Sequence, residues 1–152
     1  MKKLFVLIVA VSIITLGLTA ESFAQRGAVK WKGSGGWGSG TPYNRMYDPA
    51  KAETVSGTVE AVTQVVPIKG MYSAVAVTVK TDKETIPVHL GPEWYISRLD
   101  TKLAKGDTIE VKGARATFSG KPAIIAGEIK KGDNVLVLRD SAGVPVWSGW
   151  RR

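Results

Sequence analysis

The feature that most constrains this 152-residue chain is a series of short runs within residues 53–138 in which apolar and polar side chains alternate. Successive side chains of a β-strand point to opposite faces, so this alternation predicts strands with one buried face. The run Tyr72–Lys80 is the clearest, with Val75, Val77 and Val79 on one parity. Glycine or proline residues separate the runs. The chain therefore predicts a mainly β domain made of short strands.

The order of the predicted elements narrows the fold further. The predicted strands cover residues 54–66, 72–80, 85–90, 108–118 and 123–130, and a helix of one or two turns lies within 92–103. A change of phase at Gly113 predicts a glycine bulge or a barrel corner. Three strands, one helix and two strands is the order of the OB-fold, a small five-stranded Greek-key barrel. A further strand at Val135–Leu138, which turns back at 141–143, predicts an extra C-terminal hairpin. Another small β-barrel or a sandwich is the alternative fold.

The first 24 residues have the pattern of an export signal. Lys2 and Lys3 form a positive start, Leu4–Leu18 is apolar, and Ser22–Ala24 offers a small-x-small cleavage pattern. We therefore expect cleavage near Ala24–Gln25 and a mature protein that is periplasmic or secreted. An uncleaved N-terminal anchor is the alternative.

The segments on either side of the predicted barrel are different in composition. Residues 25–52 are rich in glycine and serine, which favours a flexible arm whose aromatic residues dock on the domain or on a partner. Residues 146–152 form a basic and aromatic tail that either contacts an anionic lipid surface or a partner, or packs Trp147 on the barrel. The predicted organisation is a signal peptide at 1–24, an arm at 25–52, a barrel at 53–138, and a hairpin with its tail at 139–152.

Cysteine content and charge limit the possible functions. The chain has no cysteine, which excludes disulfides, cysteine-ligated zinc, iron–sulfur clusters and covalently attached haem within it. Its formal net charge is +8 at pH 7. Such a charge suits nucleic acid, anionic lipids, polyanionic glycans or acidic proteins, or it simply favours solubility. For an exported protein, nucleic acid is the less natural partner.

Four stretches of the chain carry a family resemblance: "ETVSGTVEAV", "KETIPVHLGPEWYI", "GDTIEVKGARATFSGKPAIIAGEIKKGD" and "LVLRDSAGVPVWSGWRR". They resemble exported bacterial proteins with the MamS/MamX-type magnetosome domain and, more distantly, periplasmic OB-fold proteins. The resemblance covers Glu53–Arg152 and is most specific at the HLGPxWY and LRDxxGxPxW patterns. It implies an exported, non-enzymatic β-barrel, often associated with redox or iron-handling systems. Relatives of the MamX kind carry CxxCH motifs, which this chain lacks, so any haem role would belong to a cytochrome partner.

His89 is the only histidine. It opposes Ile86, Val88 and Leu90 in strand parity, so we expect it to point away from the barrel core. Such an imidazole could ligate a metal or haem, act as an acid or base, or simply hydrogen-bond a backbone group or a carboxylate. Because a metal site needs several converging ligands and none share a suitable spacing with His89, the sequence predicts no metal and no cofactor.

Catalytic motifs are missing from the sequence, which has no cysteine nucleophile and no GxSxG, GxGxxG or Walker A pattern. We therefore expect a monomeric, non-enzymatic module that binds an envelope protein or a small anionic ligand. OB barrels bind ligands on strands two and three and the flanking loops. The predicted ligand-binding residues are Tyr72, Lys80, His89, Trp94, Tyr95 and Arg115.

Other interpretations of the same residues stay open. Trp94 or Tyr95 could plug the barrel end instead of contacting a ligand. The chain could be an accessory of a periplasmic redox or iron-handling system that binds haem or metal through His89. Aromatic residues beside cations also suit single-stranded nucleic acid. Contact with a membrane would involve only the signal segment or the tail.

Overall fold

The computed structural model describes residues 35–148. The predicted signal peptide, residues 25–34 of the predicted arm and residues 149–152 of the tail lie outside this range. The described elements are α1 (Pro42–Arg45), a 3-10 turn (Pro49–Lys51), β1 (Glu53–Val65), β2 (Ala74–Lys80), β3 (Thr85–Pro92), α2 (Glu93–Ile96), β4 (Thr108–Phe118), β5 (Lys121–Lys131) and β6 (Asn134–Val137). The predicted mainly β class is confirmed. In this part of the chain, no helix is long and apolar enough to cross a membrane.

The six strands form one sheet in the order β3-β2-β1-β4-β5-β6, and neighbours in this order pair antiparallel. An additional parallel pairing joins β3 to β5, where Val88 faces Ile124 and His89 faces Ile125. The pairings β1–β2–β3–β5–β4–β1 therefore form a closed cycle. β6 lies outside this cycle as an addition to β5.

The long strands β1 and β4 each pair with two neighbouring strands, and each has one irregular position in its pairing. β1 pairs with β4 through residues 53–58 and with β2 through residues 58–65, and its register with β2 shifts between Val59 and Ala61. The β4–β5 register shifts between Lys112 and Gly113, as the sequence predicted for Gly113. A Cβ at Gly113 would meet the carbonyl oxygen of Ile125, so only glycine allows this close approach.

Alternating strand residues supply the core. The fully buried side chains of the strands include Val59, Val77, Val79, Ile86, Val88, Ile124, Ile125 and Ile129. Val77 and Val79 of β2 and Ile86 and Val88 of β3 belong to the apolar parities that the sequence predicted. β5 is buried on both faces from Ala123 to Gly127 because the segment before β1 covers it from outside.

In its described part, residues 35–52, that covering segment is folded, and its aromatic residues dock on the domain, which was one of the two outcomes expected for the predicted arm. Trp37 and Tyr43 are each 1% exposed, and α1 has a side-chain cap in which Thr41 accepts a hydrogen bond from the Asn44 N–H. Pro42 occupies the first turn of α1, where its missing N–H is tolerated. The burial of two large aromatic side chains offsets the ordering entropy of the glycine-rich chain.

α2 is a single turn within the predicted range and ends at Ile96. The Lys102 ammonium donates to the carbonyls of Ile96 and Ser97, at 3.2 and 2.6 Å, and so satisfies the helix end. The predicted C-terminal hairpin is present as a single bridge between Arg139 and Pro145. The Asp140 carboxylate closes its turn by accepting the N–H groups of Ala142 and Val144, both at 2.9 Å.

Candidate functional site

An open groove of about 540 Å³ lies between the start of β1, the β2–β3 turn and β4. Residues 53–57, residues 80–84 and Arg115 line this space, which we call the charged groove. It contains two predicted site residues, Lys80 and Arg115. Its ionisable side chains are three cations, Lys80, Lys83 and Arg115, and three anions, Glu53, Asp82 and Glu84.

Arg115 connects the strands that border the charged groove. Its Nε donates to Glu53 Oε1 at 2.6 Å, and its Nη1 and Nη2 donate to the two carboxylate oxygens of Glu84, at 3.0 and 2.5 Å. The hydrogen bonds from Arg115 hold the pKa of Glu84 below its ordinary value, and the two carboxylates raise the pKa of Arg115. The guanidinium is thus already matched by two carboxylates, so the groove offers a fixed pattern of both charges instead of a purely cationic site.

Hydrogen bonds within the β2–β3 turn, and a close approach of β1 to β2 at Gly57, fix the backbone that lines the rest of the charged groove. In the β2–β3 turn, the Thr81 N–H donates to the Glu84 carbonyl at 2.8 Å, and the Thr81 hydroxyl accepts the N–H groups of Lys83 and Glu84. Gly57 of β1 lies so close to β2 that a Cβ there would meet the Lys80 carbonyl oxygen. The groove therefore presents its charges from short, hydrogen-bonded backbone segments.

His89 lies elsewhere, within an aromatic cluster formed by Trp37, Tyr43, Tyr47, His89, Tyr95, Phe118 and Trp147. Its ring is 5.0 Å from that of Phe118, and its Nδ1 is 3.1 Å from the Tyr43 hydroxyl oxygen. The sequence predicted a side chain that points away from the core and is open to a ligand. Instead His89 is only 5% exposed, because Tyr43 and Phe118 cover that side of β3. Burial, and secondarily the charge of Arg139, lowers the pKa of His89 to about 4.

Arg139 is a functional candidate that sequence reasoning missed. It is 4% exposed, and its Nε and Nη1 donate to Asn44 Oδ1 at 3.1 Å and to the Ala126 carbonyl at 2.6 Å. Its guanidinium also lies 5.1 Å from the Trp147 ring and 5.4 Å from the Tyr47 ring. No carboxylate in residues 35–148 forms an ion pair with it, and burial lowers its pKa. The only sequence signal for this residue was the LRDxxGxPxW pattern of the family resemblance.

The remaining predicted residues lie at two further places. Tyr72, 37% exposed, and the half-buried Trp94 line a shallow pocket together with Glu93. Tyr95 is buried, with its ring 5.4 Å from that of Trp147. The six predicted residues therefore do not form one site: Lys80 and Arg115 share the charged groove, Tyr72 and Trp94 share the shallow pocket, and His89 and Tyr95 belong to the aromatic cluster.

The described side chains also bear on the metal and haem alternative for His89. Within residues 35–148, no three His, Cys, Asp or Glu side chains come together in a way that could hold a metal ion. A ligand could reach the buried imidazole only if Tyr43 or Phe118 moved. The geometry accordingly gives this alternative no support.

Fold and surface together define a small, mainly β domain with an open charged groove and an aromatic cluster buried by its flanking segments. A family model for the MamS/MamX magnetosome protein family matches residues 51–136, which is more than half of the chain. The chain belongs to this family. No individual curated protein matches it. The matched range contains all six predicted site residues, whereas Trp37, Tyr43, Arg139 and Trp147 lie outside it.

Proposed function

We propose that this protein is an exported, magnetosome-associated binding module without catalytic activity, built on an OB-type barrel and acting in the cell envelope. Its membership of the MamS/MamX magnetosome protein family supports the association with magnetosomes. The closed cycle of pairings β1–β2–β3–β5–β4–β1 supports the OB-type topology, since that fold is a five-stranded Greek-key barrel. The N-terminal sequence pattern supports export.

The binding surface that we propose is the charged groove. The observation that carries this proposal is the Arg115 network, which fixes Glu53 of β1 and Glu84 of the β2–β3 turn at the middle of an open, accessible surface. Lys80, Asp82 and Lys83 surround it with further charges of both signs. Charges presented in a fixed pattern give specificity and steer association with a protein of complementary pattern. The partner class is therefore a protein surface that carries both charges.

Two other surfaces are less suited to this role. The outer side of β3 at His89, where OB barrels place ligands, is covered by the chain's own Tyr43. A small anion in the charged groove would have to compete with the two carboxylates that already contact Arg115. A protein surface can instead engage lysines and carboxylates together.

The experiment compares the cellular position of fluorescent fusions in bacteria that form magnetosomes. The wild-type fusion should follow the magnetosomes, whereas the double variant Lys80→Glu/Lys83→Glu should spread through the envelope. Lys51→Glu/Lys121→Glu is the matched control, because it changes two exposed lysines outside the groove by the same total charge. A wild-type fusion that ignores magnetosomes would overturn the association. Identical positions of the wild type and the groove variant would overturn the role of the charged groove.

A further inference from the structure

Five large apolar side chains of residues 35–148 are exposed. They are Val62, Val66, Tyr72, Val135 and Val137, with exposures between 37% and 54%. The first three lie on the β1–β2 hairpin and its connection, and the last two lie on β6. Val135 and Val137 alternate with the half-buried Leu136 and so lie on the other face of β6, whereas Val62 is at the rim of a cavity.

A cavity of about 130 Å³ lies between the β1–β2 hairpin and β6. Val62 lines it from one side and Leu136 from the other, while Leu90, Ile96 and Leu103 contribute apolar wall. Ile96, the last residue of α2, and the loop that follows it form one side of the cavity. An apolar cavity of about 150 Å³ is large enough for benzene, so this one suits a single large apolar side chain.

The strand beside the cavity has an unprotected edge. β6 pairs with β5 on one side, and no described strand pairs with its other side. Natural edge strands are commonly protected by lysine, proline or a bulge, but Asn134–Val137 contains neither of these residues and pairs with β5 without a register shift. An extended segment can therefore add to this edge by main-chain hydrogen bonds.

The charge at the cavity indicates which chemical group a ligand should carry beside its apolar side chain. Among residues 35–148, Lys102 is the only ionisable residue that lines the cavity. The carbonyls of Ile96 and Ser97 take two of its ammonium hydrogens and hold it at the rim. Because an ammonium group has three donors, one is left for an anionic group of a ligand.

We propose that this cavity and the free edge of β6 bind an extended segment of a partner protein, which inserts one large apolar side chain and places a carboxylate beside Lys102. A second copy of the chain is a poor occupant, since one short strand and one cavity offer far less than the roughly 1,200 Å² that stable interfaces bury. This site is separate from the charged groove: Val62 lies on β1 five residues beyond Gly57, where the groove ends. It does not depend on the proposed function.

The test uses the purified protein and the synthetic peptide acetyl-TVTLTE-amide as a probe, with binding followed by NMR. We expect a dissociation constant on the order of 0.1–1 mM, as for a short segment with one anchoring side chain. Val62→Glu should weaken binding at least about tenfold, because it places a charge at the cavity mouth. Val66→Glu is the matched control, since Val66 is 54% exposed against 47% for Val62, lies on the same hairpin and does not line the cavity.

Two further comparisons test the roles of Lys102 and of the free edge of β6. A peptide that ends in glutamine should bind the wild type several-fold more weakly than the glutamate peptide, and Lys102→Gln should abolish this difference. Val137→Lys should weaken the binding of both peptides, because a lysine protects an edge strand.

The proposal is overturned if the glutamate peptide causes no shifts in the NMR spectrum at about 2 mM, or if Val62→Glu and Val66→Glu bind it equally well. Concentration-dependent dimerisation that Val137→Lys abolishes would also overturn it, in favour of a second copy. None of these outcomes bears on the charged groove.

Discussion

The indole Nε1–H of Trp147 donates a hydrogen bond of 2.7 Å to the main-chain carbonyl of Trp37, 110 residues earlier in the chain. The two rings meet edge to face at 6.4 Å, and each side chain is 1% exposed. This contact joins the segment before β1 to the segment after β6, and both residues lie outside the family-matched range. The flanking segments are therefore part of the folded domain and depend on each other.

We expect Trp147→Ala to lower the free energy of unfolding by about 3–5 kcal/mol, the usual cost of removing a large buried aromatic side chain. Besides the bond to Trp37, it would remove the ring contacts with Tyr95 and Arg139. Urea unfolding followed by circular dichroism measures the change. Val66→Ala, at a 54% exposed position, should change the same free energy by less than about 0.5 kcal/mol. A Trp147→Ala protein that unfolds at the wild-type urea concentration would show that the contact is dispensable.

Arg139 provides a second prediction, because its guanidinium combines two hydrogen bonds with contacts to aromatic rings. Arg139→Lys keeps the charge but cannot reach Asn44 and the Ala126 carbonyl in one planar fork. We expect it to lower the free energy of unfolding by about 1–3 kcal/mol, since it leaves at least one buried polar group unpaired.

The same denaturation experiment distinguishes geometry from charge at position 139. Lys80→Arg, an exchange of cations at an exposed position, is the control and should leave the midpoint of urea unfolding unchanged. If Arg139→Lys is as stable as the wild type, then positive charge alone accounts for the role of Arg139.

Strand positions could be predicted from the sequence because each strand alternates over one buried face. β4 has its predicted bounds, and the irregularity predicted at Gly113 lies where the β4–β5 register shifts. Of the one or two helical turns predicted within 92–103, one forms, because Ser97 and Asp100 favour turns over helix and Lys102 completes the helix end. Local patterns of this kind carry no information about partners far away in the chain.

The candidate site could be predicted only in part for the same reason. Parity indicated the side of β3 on which His89 lies, but nothing in the local sequence showed that Tyr43, 46 residues earlier, would cover it. Glycine content predicted an arm, whereas the aromatic residues between the glycines decide how residues 35–47 pack. The pairing of Arg115 with Glu53 and Glu84 likewise joins β4 to β1 and to the β2–β3 turn, which are distant in sequence.

The pH dependence of stability gives the third prediction, and it concerns His89. Burial lowers its pKa from 6.5 to about 4 in the folded protein, so below pH 6.5 the unfolded chain binds a proton that the folded protein does not. The neutral imidazole therefore makes its full contribution to the free energy of unfolding above pH 6.5, and this contribution is lost as the pH falls toward 4. The loss should reach about 3 kcal/mol, since each pKa unit corresponds to about 1.4 kcal/mol.

His89→Gln removes this titration, so its free energy of unfolding should vary less between pH 6.5 and 4 than that of the wild type. The difference between the two profiles isolates His89, because carboxylates such as Glu84 and Asp107 titrate in both proteins. Tyr43→Phe is the matched control: it removes the hydroxyl that contacts Nδ1 but keeps the ring that buries it. Since burial is the larger cause of the shift, Tyr43→Phe should retain most of the wild-type slope. Parallel profiles for the wild type and His89→Gln would contradict the prediction and imply that the imidazole is accessible to protons in the folded protein.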